Sequence, residues 1–102
     1  MNIDFIQTGG FAGMRISVNI ETQELPLDQS RKLEKLVSEA GFFSLSPNIT
    51  SPEPLPDRFE YQISVSSEGK SHSVTVSESV VPDRLRPLLD FLCKIAIDKK
   101  DR

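Results

Sequence analysis

The chain has 102 residues, a net charge of −3 at pH 7 and 37% apolar residues, which suits one domain around one core. So mild a charge gives no electrostatic reason to expect nucleic acid or an anionic membrane, and no apolar run is long enough to cross a bilayer. The opening MNIDFIQ lacks the basic start and apolar core of a secretion signal, and the single Cys93 allows no internal disulfide, so the expected setting is cytoplasmic and reducing.

Asn2 to Gln7 places Ile3 and Phe5 on one strand face. Met14 to Glu21 alternates strictly, with Met14, Ile16, Val18 and Ile20 on one side and Arg15, Ser17, Asn19 and Glu21 on the other. That is the pattern of a half-buried strand. Between the two lies TGGFAGM, a glycine-rich turn with an aromatic inside it. If Gly9 to Ala12 form a four-residue loop, Thr8 faces Gly13, Phe5 faces Ile16 and Ile3 faces Val18, and the apolar faces match.

LPLDQSRKLEKLVSEAGFF follows with Leu33, Leu36, Val37 and Ala40 at helical spacing. Asp28 caps its start or Pro26 takes the first helical position, and Gly41 ends it. Residues 44–57 carry four prolines, an irregular connection long enough to be mobile or functional. Phe59, Tyr61, Ile63 and Val65 then alternate with polar residues, and Val74 and Val76 do so after a turn at Glu68-Gly69. Pairing Ser67 with Lys70 sets Val65 opposite His72, Ile63 opposite Val74 and Tyr61 opposite Val76. A second helix carries Leu85, Leu88, Leu89, Leu92 and Ala96, its regular part starting near Pro87 after a turn at Pro82. Residues 98–102 read as a frayed tail.

The order ββαββα predicts an α+β domain over residues 1–102: a four-stranded antiparallel sheet with two helices packed on one face. If the second and third strands are neighbours, both hairpin tips point to the same end of the sheet. The start of the proline-rich segment then lies near them.

Little in the chain resembles a catalytic or metal site. One histidine and one cysteine make an internal zinc site a poor fit, and the acidic residues lack calcium-loop spacing. His72 is flanked by Ser71 and Ser73, which point to the opposite strand face, so it reads as a strand-end histidine. Cys93 lies beside the apolar stripe of a helix and reads as a buried structural thiol. The glycines of GGFAG lie between two strands and not before a helix, which is poor ground for a phosphate loop. Phe11 remains, with two readings: it folds back over the edge of the core, or it enters a partner's pocket as an aromatic anchor.

TGGFAG, PDRFEYQISV, the charged turn before HSVTV, and ESVVPDRLRPLLDFL, in this order and spacing, resemble the emfourins. These are small bacterial protein inhibitors of protealysin and related thermolysin-like zinc metalloproteases. Thr8 stands where the family pattern suggests serine. The resemblance covers most of the chain and implies inhibition, with no catalysis, no cofactor and no metal of the chain's own. The expected partner is a thermolysin-like metalloprotease, with the free chain a monomer. Thermolysin-like enzymes accept bulky apolar side chains beside the scissile bond, so the expected contact loop is Gly9, Gly10, Phe11, Ala12 and Gly13. The second tip, Glu68, Gly69 and Lys70, is expected to rest on the rim. The competing reading is a non-inhibitory interaction module using the same loops or an open sheet edge.

Overall fold

In the computed structural model the described residues are 1–9, 14–50 and 59–100, without the side chains of Met14 and residues 97–100. The fold is α+β. Five strands, β1 (Asn2–Gly9), β2 (Met14–Glu21), β3 (Asn48–Ile49), β4 (Phe59–Ser67) and β5 (Lys70–Ser77), form one sheet in the order β2-β1-β4-β5-β3. Two helices, α1 (Leu27–Glu39) and α2 (Arg86–Lys100), cover one face. All neighbouring strands are antiparallel except β3, which runs parallel to β5.

The alternation explains the layering. Ile3 and Phe5 of β1, Ile20 of β2, Tyr61, Ile63 and Val65 of β4, and Val74 and Val76 of β5 are buried against Leu33 and Val37 of α1 and Leu88, Leu89 and Leu92 of α2. The outer face carries short polar side chains that bond to one another. Asn19 Nδ2 donates to Asp4 Oδ1 at 2.6 Å, and the Ser64 and Ser73 hydroxyls lie 2.8 Å apart. One face is therefore dry and the other wet, as an antiparallel sheet allows.

The helix stripes match expectation. Leu85, Leu88, Leu89, Leu92 and Ala96 are all buried. The turn before α2 is held by Leu85 and Arg86 N–H groups donating to the Pro82 carbonyl at 3.0 and 3.1 Å. At the start of α1 neither expected arrangement forms, because Pro26 takes the capping position, with no side-chain cap, and Asp28 falls in the first turn. Gly41 ends the helix in the left-handed region, at φ 61°, where a glycine is favoured.

Three expectations fail for definable reasons. The sheet has a fifth strand, β3, inside the proline-rich segment. It is two residues long, too short to show a period, and the Thr75 N–H donates to the Pro47 carbonyl at 2.8 Å just before it. The β1–β2 register differs by two residues from the expected one: Gly9 faces Met14, Phe5 faces Val18 and Ile3 faces Ile20. A shift of two preserves which face each side chain occupies, so matching the apolar faces cannot detect it. Finally, β4 pairs with β1 and not with β2. The N-terminal strand is thus interior, β2 is an edge, and the two hairpin tips lie at opposite ends of the sheet.

Candidate functional site

Gly9 closes the described part of β1 at φ 97°, backbone that only glycine adopts readily. With Gly9 opposite Met14, the connection is residues 10–13. Gly10, Phe11, Ala12 and Gly13 lie outside the described residues, so the site is built from what anchors them.

Gly9 is paired on both sides, facing Met14 of β2 and Phe59 of β4. On the far side of β4, Glu60 faces Ser77, the last residue of β5. The chain then turns through Glu78–Val80. The Glu78 carboxylate accepts a hydrogen bond from the Phe59 N–H at 3.3 Å, tying that turn to the start of β4. Phe59 is half-buried and Val80 is exposed. Behind them an aromatic row runs inward. The Phe59 ring lies 6.4 Å from Tyr61, and Tyr61 stacks on Phe5 at 5.9 Å. Burial, reinforced by nearby Cys93 and Glu78, pushes the Tyr61 phenol up to about 12, so this row is uncharged at neutral pH.

The described residues on either side of the second undescribed stretch, 51–58, also lie at this end of the sheet. Its flanks are β3, alongside Thr75 and Val76, and Phe59, alongside Gly9. Ile49 and Phe59 therefore lie at the same end of the sheet as Gly9. The sequence suggests the start of the proline-rich segment as the loop's neighbour, whereas the structure brings its later flanks there. Phe59 and Glu78 escape a reading of the sequence as neighbours of Gly9, since only the strand order brings them there.

Glu68, Gly69 and Lys70 are at the other end. Ser67 faces Lys70 as expected, and Glu68 and Gly69 have φ 48° and 80°, the two positive values of a type I′ turn. Because Ser66 faces Asn2 whereas Phe59 faces Gly9, the length of β1, roughly 25 Å, separates this tip from the glycine loop. The expectation that the two tips lie side by side rested on β2 and β4 being neighbours, which they are not. What they line is an open cleft of about 470 Å³ with Met1, Asn2, Glu21 and the serines at 66, 67 and 71. There the Met1 ammonium lies 3.4 Å from Glu21 Oε2, an ion pair by distance, although that oxygen accepts no hydrogen bond among the described residues.

His72 and Cys93 are accounted for by packing. His72 faces Val65, its Nε2–H donates to the Leu45 carbonyl at 2.7 Å, and its ring meets Phe42 edge-on at 5.7 Å. Its partner is a backbone carbonyl, not a nucleophile. Cys93 is half-buried, and burial, followed by the Asp90 carboxylate, pushes its thiol up to about 11, which leaves little reactive thiolate at neutral pH. Among the described residues no three His, Cys, Asp or Glu side chains gather as a metal site would require.

The family model of the emfourins matches residues 5–93, a span that includes the glycine loop, most of the first hairpin, all of the second and about half of α2. The chain belongs to the emfourin family. No curated protein and no solved structure matches it significantly.

Proposed function

From its membership of the emfourin family, we propose that this chain is a protein inhibitor of a thermolysin-like zinc metalloprotease. It blocks the active-site cleft with the loop Gly9–Gly13, Phe11 filling an apolar pocket beside the scissile position. The observation that carries the reading is the family match over residues 5–93, an inhibitor family. Two structural features support the choice of loop. It extends from an interior strand of the sheet, which is paired on both sides up to Gly9. At its base Gly9 faces Phe59, whose N–H donates to the Glu78 carboxylate, so the strand end that carries the loop is tied to the neighbouring turn.

Rigid support matters energetically. A loop held in its bound shape loses less conformational entropy on docking, and an aromatic anchor concentrates binding energy in one pocket. The glycines let the backbone approach the cleft floor closely. The zinc is the protease's own. A backbone bound tightly in a pose unsuited to water attack escapes hydrolysis, since binding alone does not accelerate the chemical step.

The test is peptide hydrolysis by purified thermolysin-like proteases, including any encoded beside this gene, titrated with the chain at fixed substrate. Activity should fall near stoichiometric ratio with the inhibitor intact on a gel. Full activity against every such enzyme would favour the non-inhibitory interaction module instead.

A further inference from the structure

The outer edge of β2 is the longest strand edge without a neighbour among the described residues. β2 pairs only with β1, whereas the opposite edge of the sheet, on β5, is partly covered by β3. An eight-residue edge without proline offers a row of backbone donors and acceptors to another strand. Its side chains show which strand fits.

We propose that the β2 edge pairs with the β2 edge of a second copy of this chain, antiparallel about a two-fold axis at Val18. In that register Arg15 of each copy faces Glu21 of the other, Ser17 faces Asn19, Ile16 faces Ile20 and Val18 faces its own counterpart. The register follows from three requirements. Symmetry demands that the paired residue numbers have a constant sum. Keeping the wet face with the wet face and the dry face with the dry face demands that the sum be even. Setting Arg15, exposed, directly opposite Glu21, half-exposed and with one carboxylate oxygen already beside the Met1 ammonium, selects the sum 36. A shift of two in either direction separates those charges. The symmetry makes two such cross-strand pairs, each of the kind that stabilises adjacent strands. On the dry face, Ile16 and Val18 are only partly buried within one copy and pack at the margin of the core. The second strand completes their cover.

The product is a continuous sheet of two copies with the helices of both on one face. The Gly9 ends of β1 in the two copies lie at opposite ends of that sheet. Strand-edge contact alone buries less than the roughly 800 Å² per partner of a stable complex, so the dimer is weak. At the dilution used to titrate inhibition the chain remains a monomer, and this contact is tested without any protease.

Sedimentation equilibrium of the free chain is the experiment, from about 10 µM to about 1 mM. The average mass should climb from one chain toward two across this range. Arg15→Glu should raise the dissociation constant about tenfold by setting like charges opposite. The double exchange Arg15→Glu with Glu21→Arg should restore association. A single-chain mass throughout overturns the proposal, as does an association indifferent to Arg15→Glu. Failure of a double variant with native circular dichroism to recover overturns the register.

Discussion

The two hairpins of the one sheet are built on opposite principles. The β4–β5 hairpin turns in the minimum two residues, Glu68 and Gly69, and both adopt the positive φ such a turn demands. Its tip has no apolar residue and opens on a polar cleft. The β1–β2 hairpin spends four residues, 10–13, where two would close the strands, and one of them is phenylalanine. A turn of minimum length is explained by the need to turn. A longer one carrying a large apolar side chain needs a further reason, and the proposed protease pocket supplies it.

Substitutions in and around the two tips put that difference at risk. The largest effect is expected at the root of the first hairpin. Phe5→Ala removes a fully buried ring stacked on Tyr61 and should cost about 3–5 kcal/mol of stability by urea unfolding. Inhibition is then lost along with the fold. Gly9→Ala forces a Cβ onto backbone at φ 97° and should cost about 1 kcal/mol, while also weakening inhibition because it reshapes the loop's base. Gly69→Ala, at φ 80° with open space around it, should cost a similar 1 kcal/mol or so, purely from the backbone. The folded protein should inhibit as well as before. Equal loss of inhibition in the two glycine variants, at matched folded fraction, would erase the distinction between the hairpins.

At neutral pH the smallest effect is expected from the two core groups with raised proton affinity, since it appears only in alkali. Cys93 and Tyr61 hold their protons more tightly folded than unfolded, with folded values of about 11 and 12 against ordinary values of 9.0 and 10.0. In such a window the native state binds more protons than the unfolded one, so stability declines as pH rises. It should be flat up to pH 9 and then fall, with Cys93 contributing between about 9 and 11. Cys93→Ala should remove that portion of the decline in urea midpoints measured at successive pH values.

The same contrast governs what the sequence reveals. The β4–β5 register follows residue for residue from the Ser67–Lys70 pairing, because a two-residue turn leaves no freedom. The first register comes out two residues away, because a four-residue glycine loop can be placed at either position without moving a side chain to the wrong face. The α2 stripe is legible since Leu85, Leu88, Leu89, Leu92 and Ala96 repeat over several turns. Strand order is not legible. Asn2–Gly9 has the same alternation whether it lies at an edge or inside the sheet, and β3 is too short to leave a pattern. The loop therefore emerges from the sequence as a candidate through Phe11. Phe59 and Glu78, beside Gly9, emerge only when β1 is found between β2 and β4.

The most direct measurement compares the two tips in one assay. Inhibition constants against a thermolysin-like protease would be determined for the unaltered chain, for Phe11→Ala and for the double variant Glu68→Ala, Lys70→Ala, with thermal midpoints recorded alongside. If the glycine loop is the inhibitory element, Phe11→Ala weakens inhibition about 100-fold with little change in midpoint, as expected for an interface hot spot. The double variant should stay within about twofold of the original, as expected for residues outside the contact. Undiminished inhibition by folded Phe11→Ala, or a large loss in the double variant, would contradict the assignment of inhibition to this loop.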